Sequence, residues 1–497
     1  MSTYPFRKDI PVHGTGFSSY EAVLEPATVA VLGPGGVGGL LAALLARAGH
    51  RVICVAGEST VQTLRDKGIQ VSSPQFGEFT VAVESDTRLR EAVDLCLVTV
   101  KHTNLEAALD RLPAEHLGSA LIVPLLNGVE HLDLLQARYG GERVVPAVIR
   151  VESTRTAAGF IEHGSPFTEI DLAGSPERLA GPAGLLGGAG LAIRVLPGEK
   201  SVLWDKLAFL APFALLTTHY RAPIGVVRSD HRDELAAVVA ETTEVARAHG
   251  ATTEVGQILV RYDGFPEAAK SSMQRDAEAG RATELDAIGG AVLRGAVAHG
   301  ISVPHTARLI AEVAQRDRIE RFLRGHGAGE IPHPGGTLLE HLGRVADMLT
   351  AWGASREIRC AGLCHAMYGT DGFDRALLGL ENRGALVELI GERAEALVYQ
   401  YGGCDRGVVY PRLDGSPVMF RDRFSGREYL PAEADLRAFM EITVANELDV
   451  MAHNAGVWEE HGGALFQLFD RCRHLMSPVA WKACRAWAVS GGLEIQR

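Results

Sequence analysis

A glycine-rich turn between a short apolar strand and an apolar helix is the feature that most limits what this chain can fold into. Residues 33–38 read GPGGVG, after a β-branched run over 27–31 and before apolar residues at helical spacing over 40–48. A further strand-like run follows over 51–55. This succession of strand, glycine turn, helix and strand is typical of the first unit of a doubly wound α/β sheet.

The spacing inside this turn indicates a ligand. Gly33, Gly35 and Gly38 match the pattern GxGxxG. In that pattern the first glycine permits a tight turn, the second lets the backbone approach a pyrophosphate, and the third allows close helix packing. The N-terminus of the next helix then faces the phosphates. We therefore predict that a dinucleotide cofactor, NADPH or NADH, binds at Gly33, Gly35, Gly36, Val37 and Gly38.

The tip of the second predicted strand bears on the choice between the two cofactors. An acidic side chain there would bond the ribose 2′-hydroxyl and repel a 2′-phosphate, whereas an arginine would do the reverse. Glu58 follows this strand and favours NADH. It stands a residue or two past the useful position, however, and a solvated loop carboxylate is the alternative interpretation. The choice of cofactor stays open.

The order of the patterns along the chain predicts the domains. Short apolar runs over 94–100 and 120–123 continue the α/β pattern, as expected of strands buried on both faces of a parallel sheet. Helical patterns follow, and a glycine- and proline-rich stretch over 325–336 indicates a linker. Beyond it the spacing of apolar residues predicts further helices, among them one over 383–401 and one over 463–475. We predict an N-terminal extension over 1–26, a Rossmann-type dinucleotide-binding domain over 27–198, an all-α domain over 199–325 and a third, mainly helical domain over 330–497.

The bulk composition limits the partners of the chain. A net charge of −12 gives no general affinity for nucleic acid. The seven cysteines include no CxxC pair, which favours reduced thiols over a disulfide framework. The N-terminus lacks a secretory signal, and no apolar run approaches the roughly 20 residues of a membrane helix. We expect a cytoplasmic protein that acts on a small molecule, without a membrane or nucleic-acid partner, and that is compatible with a homodimer.

Four further motifs carry a resemblance to an enzyme family. They read VTVKHTNLEAAL, LLNGVEH, WDKLAF and SSMQRDAEAGRATELDAIGGAVLRGAVAHGISVP. With the glycine turn, they resemble the ketopantoate reductase family over residues 27–325. The last motif is the most specific, because its Ser, Asp, Thr-Glu and Asp-x-x-x-Gly spacings all agree with the family pattern.

The resemblance implies a two-domain enzyme that uses NADPH to reduce a 2-oxo acid to a 2-hydroxy acid. It implies that Lys101 contacts the cofactor and that Asn127 lies where cofactor and substrate meet. It also implies that Lys206 is the general acid, and that Ser272 binds the substrate carboxylate. Glu284 is implied to contact substrate and cofactor and to help hold the lysine.

The chemistry of this set is coherent without the resemblance. When hydride reaches a carbonyl carbon, negative charge grows on the oxygen, and a positioned ammonium stabilises that charge and donates a proton. Each residue also has a simpler interpretation. Lys206 could be a surface cation, and Glu284 a carboxylate that favours a helix N-terminus through the dipole.

The chain departs from the family pattern around the substrate. The family has asparagines four and eight residues after the catalytic lysine, where this chain has Leu210 and Ala214. The arginine usual at the end of the second strand is Gly57. A pocket without these amides should reject a polyhydroxylated substrate, because unpaired polar groups cost a few kcal/mol each. We predict a more apolar or differently shaped oxo or imino substrate, and not ketopantoate.

The segment after residue 330 resembles HD-domain metal hydrolases. The motifs TLLEHL and AGLCH contain His341 and His365 at the family's spacing, which makes both candidate ligands of a divalent metal. Ala366 replaces one expected aspartate and Asn446 the other, although Asp371 or Asp405 could substitute. Two imidazoles without carboxylates hold a hard divalent cation poorly. A helical domain that kept an HD-like core and lost its metal is the alternative.

Three functional hypotheses follow. The leading one is an NAD(P)H-dependent oxidoreductase fused to an HD-like helical domain. The second is a metal-dependent hydrolase or oxygenase whose chemistry lies in the C-terminal domain, with the reductase half accessory. The third is a pseudoenzyme that senses the redox state of NAD(P)H, against which the presence of Lys206, Ser272 and Glu284 argues.

Overall fold

The computed structural model describes residues 25–198, 201–415 and 417–490. The predicted N-terminal extension over 1–26 therefore lies almost wholly outside the described residues. The chain forms two compact units. Unit 1 contains the residues up to Ala214 with His231–Phe265 and Ala282–Ala307, and unit 2 contains Leu215–Asp230, Pro266–Arg281 and the residues from Arg308 onward.

The α/β part of unit 1 contains twelve described strands and six described helices. The strands are β1 Thr28–Leu32, β2 Arg51–Val55, β3 Ile69–Ser72, β4 Phe79–Val81, β5 Glu84–Asp86, β6 Leu95–Val98, β7 Leu121–Pro124, β8 Ala147–Arg150, β9 Ser153–Ala157, β10 Phe160–His163, β11 Glu169–Ala173 and β12 Ala192–Leu196. The helices are α1 Gly36–Arg47, α2 Glu58–Lys67, α3 Leu105–Leu109, α4 Ala114–Leu117, α5 His131–Tyr139 and α6 Pro176–Gly188.

A five-stranded parallel sheet forms the centre of this part, in the order β5-β2-β1-β6-β7. Val29 and Val31 of β1 belong to the apolar core on one face, and Ala30 and Leu32 belong to the core on the other. Burial on both faces explains why these strands are continuous apolar runs. The Rossmann-like parallel sheet predicted from the sequence is confirmed.

Two smaller mixed sheets were not predicted from the sequence. One has the order β4-β3-β10-β9 and the other the order β12-β11-β8. Every strand of the first sheet has at least one exposed position, and β11 and β12 of the second contain the charged residues Asp171 and Arg194, so that most of these strands lack the continuous apolar runs that mark the central strands. Strand β8 of the second sheet ends at Arg150.

The predicted all-α segment is helical, as expected. Its helices are α7 Ser201–Tyr220, α8 Ile224–Asp230, α9 Arg232–Ala248, α10 Val255–Asp263, α11 Ser272–Glu278, α12 Ala291–His299 and α13 Pro304–Gly325, with a π-helical turn over Asp286–Gly290. These helices are divided between the two units. Unit 2 takes α8, α11 and most of α13.

The length of α7 contradicts the expectation that no apolar segment reaches the length of a membrane helix. Its 20 residues are long and apolar enough to cross a membrane by length and composition. Within its most apolar window, however, 72% of the residues are buried inside the protein. A buried core helix passes the same test, so the apolarity of α7 is accounted for by packing.

The remainder of unit 2 is mainly helical. Its helices are α14 Leu338–Ala351, α15 Arg356–Cys364, α16 Arg383–Ile390, α17 Glu392–Gly402, α18 Arg406–Val409, α19 Glu433–His453, α20 Ala455–Arg471 and α21 Pro478–Ser490. Two short hairpins pair Pro332–His333 (β13) with Gly336–Thr337 (β14), and Phe420–Arg421 (β15) with Glu428–Tyr429 (β16).

Three local expectations for this region differ from the structure. The helix predicted over 383–401 is interrupted at Gly391, whose φ of +89° suits glycine. The helix predicted over 463–475 starts earlier, at Ala455. The predicted linker over 325–336 buries Ala328 and Ile331 in the core of unit 2, so it is a packed turn and hairpin.

All seven cysteines are buried and unpaired. This arrangement agrees with the expected absence of a disulfide framework.

Candidate active site

The glycine turn after β1 is built on close backbone approaches. Gly33 has φ of +84°, and a Cβ atom there would lie 2.4 Å from Cγ1 of Val100. A Cβ atom at Gly38 would lie 2.2 Å from Oγ1 of Thr99. Contacts this short are not available to a side chain, so the first and third glycines of the motif are required by packing.

Gly35 and Gly36, in the middle of the turn, differ in the space around their Cα atoms. A Cβ atom at Gly36 would lie 2.2 Å from the carbonyl oxygen of Ser153. A Cβ atom at Gly35 would meet nothing closer than the Gly33 oxygen, 3.9 Å away. Helix α1 begins at Gly36, directly beyond this open side. The turn therefore has an unobstructed backbone surface next to a helix N-terminus, which suits a pyrophosphate.

The tip of β2 carries both signs of charge. Glu58 is exposed at the start of α2, and a Cβ atom at the preceding Gly57 would meet nothing within 4 Å. Nη1 of Arg111 donates to the carbonyl oxygens of Ala56 and Thr87, each at 2.9 Å. The sequence analysis did not consider Arg111. With an acid and a base at the same tip, both NADH and NADPH remain candidates.

Three of the predicted site residues are joined by hydrogen bonds. Nζ of Lys206 on α7 donates to Oδ1 of Asn127 at 3.1 Å, and Nδ2 of Asn127 donates to Oε2 of Glu284 at 3.0 Å. The other carboxylate oxygen of Glu284 accepts from the backbone N–H of His102 at 3.0 Å. Glu284 is thus connected to Lys206 through the amide of Asn127.

The backbone around this trio is also specialised. Asn127 is followed by Gly128, whose φ is +84° and whose Cβ atom would lie 2.4 Å from the carbonyl oxygen of Ala287. Ala287 belongs to the π-helical turn that starts two residues after Glu284. π-Helical turns are frequent at functional sites. The turn and the glycine bring the Asn127 loop and the Glu284 segment into contact.

The electrostatic surroundings adjust the acidity of Lys206. Burial, and to a smaller extent the positive charge of Arg150, lower the pKa of its ammonium to about 8. The negative charge of Glu284 acts in the opposite direction. A lysine with a pKa near 8 can give up its proton near neutral pH far more readily than an ordinary lysine. Arg150 was not identified from the sequence, because an arginine at the end of a short strand gives no local signal.

His131 is a second residue that the sequence analysis missed. It is completely buried at the start of α5, and neither ring nitrogen has a hydrogen-bond partner among the described residues. Burial lowers the pKa of its imidazole to about 3, with smaller effects from His102 and Lys206. The ring is therefore neutral at physiological pH, close to the charged lysine.

Comparison with known proteins covers the same part of the chain. Residues 29–173 match the family profile "Ketopantoate reductase PanE/ApbA", and residues 200–317 match "Ketopantoate reductase PanE/ApbA C terminal". A 2-dehydropantoate 2-reductase of Caulobacter vibrioides is 29% identical over 290 residues, which cover 57% of this chain and 97% of that protein. A 2-dehydropantoate 2-reductase of Mycobacterium tuberculosis is 30% identical over 302 residues, 58% of this chain and 96% of that protein.

The chain belongs to the ketopantoate reductase family. Among solved structures, a ketopantoate reductase from Ralstonia eutropha is 28% identical with a TM-score of 0.53, over 58% of this chain and 98% of that one. A D-mandelate dehydrogenase with NADH and anilino(oxo)acetate has the same TM-score over 58% of this chain and 98% of that one. At 20% identity, the latter shows that the fold is shared and no more.

Two residues to which the family resemblance assigns a role, Lys101 and Ser272, lie outside the hydrogen-bonded trio of Lys206, Asn127 and Glu284. Lys101 is exposed, three residues after β6 ends. Ser272 is exposed as the first residue of α11, while the buried Ser271 beside it caps that helix and accepts a hydrogen bond from Thr217. The roles of Lys101 with the cofactor and of Ser272 with the substrate stay predictions.

The family's asparagine positions are apolar in this chain. Ala214 is buried, and Leu210 is half-buried on α7 one turn after Lys206. Phe209, which precedes Leu210 in the chain, stacks on Tyr262 with ring centroids 4.6 Å apart. Helix α7 therefore presents no amide where the ketopantoate reductase family has two.

The region beyond the ketopantoate reductase part matches a profile described as a domain of unknown function, DUF6817, over residues 322–406. The HD-like resemblance of this region stays a prediction. The helical character that it implied agrees with α14 to α21.

The structure gives no support to the metal site predicted at His341 and His365. The two rings are neighbours, with centroids 5.3 Å apart. Nδ1 of His341, however, is bonded to Asp449 at 2.7 Å and Nε2 to Oδ1 of Asn446 at 3.1 Å. Across the described ranges, no group of three His, Cys, Asp or Glu side chains could hold a metal ion.

The substitutes considered for the missing aspartates have other partners. Asp371 accepts from the backbone N–H of Arg406 at 2.7 Å, and Asp405 caps α18. Burial lowers the pKa of His365 to about 3, and its Nδ1 bonds to the carbonyl oxygen of Gly362 at 2.7 Å. The hydrogen bonds of His341 and His365 to other protein groups are sufficient to explain why both side chains are buried.

Proposed function

We propose that the protein is an NAD(P)H-dependent reductase that converts a small 2-oxo acid, or a related oxo or imino compound, to the corresponding alcohol or amine. The observation that supports it most is the chain of hydrogen bonds from Lys206 through Asn127 to Glu284. A cationic acid anchored by an amide and a carboxylate is what protonation of a developing alkoxide needs.

The residues present suit a nicotinamide dinucleotide. Gly35 leaves the backbone open beside the N-terminus of α1, so that two phosphates can approach N–H groups. The cofactor, when bound, supplies the hydride. Lys206 donates its proton to the carbonyl oxygen, Asn127 fixes the position of the ammonium, and Glu284 fixes the amide of Asn127 from the far side.

The proposed substrate is not ketopantoate. Leu210 and Ala214 offer no hydrogen bonds to the hydroxyl group of such a substrate, and polar groups buried without partners are costly. An identity near 30% to proteins named 2-dehydropantoate 2-reductase leaves the substrate undetermined. Turnover of ketopantoate at rates usual for an enzyme, about 1–10³ per second, would contradict this part of the proposal.

Calorimetric titration with NADPH and with NADH tests the proposed function. We expect saturable one-site binding of at least one cofactor, and no stoichiometric metal in the same sample. A Gly35→Val variant is the matched control, because its side chain would occupy the open face of the turn and abolish binding. If the wild-type protein bound neither cofactor and contained stoichiometric metal, we would conclude that the C-terminal region carries out the reaction.

The rate of carbonyl reduction should decline as pH rises through about 8, the pKa of Lys206. The reason is that the general acid must be protonated, and the protonated fraction falls above its pKa. Glu284→Gln removes the charge that raises this pKa, so the alkaline limb of the pH–rate profile should move to lower pH. Glu177→Gln, at an exposed carboxylate on α6, should leave the limb where it is. A limb that does not move in Glu284→Gln would argue against Lys206 as the titrating acid.

A further inference from the structure

Unit 2 contains a pocket that is lined by residues of α13, α14 and α15 and by the last turn of α7. Its volume is about 430 Å³, and it is open to solvent. Helices α13 and α15 contribute most of its lining, through Glu312, Gln315 and Ile319 of the former and Arg356, Arg359 and Leu363 of the latter. Both sets have the spacing i, i+3, i+7, which places each set on one face of its helix. No residue of the proposed reductase site lines this pocket.

Three arginines line the pocket, and one of them is neutralised. Nε of Arg316 donates to Oε1 of Glu320 at 2.8 Å, and its Nη1 donates to Oδ1 of Asp347 at 2.5 Å. Two carboxylates therefore balance this one guanidinium group, and its role is structural. The other two arginines, Arg356 and Arg359, have fewer acidic partners.

Glu312 is the carboxylate of the pocket, and it is shared. Nη2 of Arg359 lies 3.0 Å from its Oε1, and Nη1 of Arg308 donates to its Oε2 at 3.2 Å. Nδ1 of His219 lies 3.5 Å from the same Oε2. One carboxylate that pairs with two guanidinium groups leaves this group of side chains with a net positive charge.

Arg356 forms no ion pair within the part of the chain that the structure describes. Its hydrogen bond there runs from Nη2 to Oε1 of Gln315 at 3.3 Å. Gln315 is buried, and its Nε2 donates to the carbonyl oxygen of Leu389 at 2.5 Å, which turns Oε1 toward Arg356 and Arg318. A fixed amide thus orients the Arg356 side chain without neutralising its charge.

The position of these two arginines on α15 is unfavourable for the helix itself. Arg356 and Arg359 stand three residues apart in the first turns, directly after the cap Ser355. Like charges at this spacing repel, and cations at a helix N-terminus oppose the helix dipole. Glu357 of the same turn bonds to Ser355 and does not line the pocket. Even with Glu357 counted, three arginines other than Arg316 stand against two carboxylates, so a bound anion would relieve this repulsion.

The deeper wall of the pocket is apolar. It contains Ile319, Ala346 and Leu363, each of which is almost fully buried. Thr350 also lines this wall, but its hydroxyl donates to the carbonyl oxygen of Ala346 at 2.7 Å. The pocket therefore combines two arginines beside an apolar surface, which suits a ligand with a charged end and an apolar end.

We propose that this pocket binds a small organic anion. Its carboxylate or phosphate group is held by Arg356 and Arg359, and its apolar part packs against Ile319, Ala346 and Leu363. The pocket volume lies toward the lower end of the roughly 300–1,000 Å³ typical of small-molecule sites, so the ligand has the size of a metabolite. This site is additional to the proposed reductase site and does not depend on it.

Calorimetric titration of the full-length protein with acetate, butyrate and butyl phosphate tests the proposal. We expect butyrate to bind at one site per chain, up to about 15-fold more tightly than acetate, because each fully buried methylene contributes about fourfold. Butyramide, which has the same apolar part without the charge, should show no saturable binding. Tighter binding of butyl phosphate than of butyrate would identify the ligand as a phosphate ester, and the reverse order would identify it as a carboxylate.

Variants locate the binding site. Arg356→Gln and Arg359→Gln should each lower the affinity for butyrate by roughly 10- to 100-fold, as expected for the loss of a charged hydrogen bond. Arg356 is exposed, so Arg356→Gln should unfold at the same temperature as the wild-type protein, and Arg356→Lys should retain part of the affinity. Arg321→Gln is the matched control, because Arg321 is an exposed arginine of α13 that pairs with Asp317 outside the pocket.

Lys206→Met separates this site from the reductase site, and butyrate affinity should be unchanged in that variant. Loss of butyrate binding in Lys206→Met would place the anion in the reductase site and overturn the proposal. Unchanged affinity in both Arg356→Gln and Arg359→Gln would overturn it as well, as would the absence of saturable binding of all three anions to the wild-type protein. Equal affinities for acetate and butyrate would overturn the part assigned to the apolar wall.

Discussion

Replacing Lys206 with methionine should lower kcat for carbonyl reduction by roughly 10²- to 10⁴-fold, the usual contribution of a positioned general acid. Methionine has a similar length and lacks the charge, so the change removes the proton donor at Asn127 without leaving a large void. Cofactor affinity should change little, because Lys206 does not belong to the glycine turn. Single-turnover oxidation of bound NADPH or NADH measures the chemical step directly.

Two further variants define the role of this lysine. Lys270→Met removes a lysine that is ion-paired with Glu278 elsewhere in the protein, and should leave kcat unchanged. Lys206→Arg keeps the charge with a group that does not release its proton, so it should be nearly as impaired as Lys206→Met. If Lys206→Met retained a tenth or more of the wild-type rate, proton donation by this residue would be excluded.

Replacing Gly36 with alanine should destabilise unit 1 and disrupt the cofactor site together. The added Cβ would lie 2.2 Å from the carbonyl oxygen of Ser153 and 2.7 Å from its carbon, and both are backbone atoms that cannot rotate away. Either α1 or the start of β9 must move. We expect a loss of roughly 1–3 kcal/mol in the free energy of unfolding, as for other overpacked sites. Chemical denaturation and cofactor titration measure the two effects.

Gly35→Ala is the natural companion, because its Cβ would meet nothing closer than 3.9 Å and the φ of Gly35, −79°, suits alanine. Its stability should match that of the wild-type protein within about 0.5 kcal/mol. Its cofactor affinity should nevertheless fall, because the methyl group occupies the surface that the pyrophosphate approaches. Normal affinity in Gly35→Ala would mean that the phosphates bind elsewhere.

The parts of the fold that could be predicted are those with local signals. The buried strands β1, β2, β6 and β7 are continuous apolar runs, and Gly33 and Gly38 have a spacing that fixes the turn between a strand and a helix. The strands of the two small mixed sheets are interrupted by exposed positions or by charged residues such as Asp171 and Arg194, so their signal in the sequence is weaker than that of the central strands.

The candidate site could be predicted only in part, for a related reason. Lys206 and Asn127 are 79 residues apart, and Asn127 and Glu284 are 157 apart, so no periodicity connects them and the family resemblance was needed. Arg150 matches no motif, and the residues that it affects, Lys206 and Asp171, belong to other segments of the chain. The metal prediction at His341 finds no support in the structure, because ligand spacing along the chain does not reveal that Asp449 and Asn446 hydrogen-bond to both ring nitrogens.

The division of the chain into two units bears on where the chain could be cut without loss of stability. Helix α13 begins inside the matched reductase segment, which ends at residue 317, and its last turns contribute Ile319 and Leu323 to the core that contains Leu342 and Phe439 of the extension. A protein cut after Gly325 would expose Ile319 and Leu323, and the C-terminal product would lose both side chains from its core. We therefore expect a cut at this point to destabilise the last turns of α13 and the core of the extension.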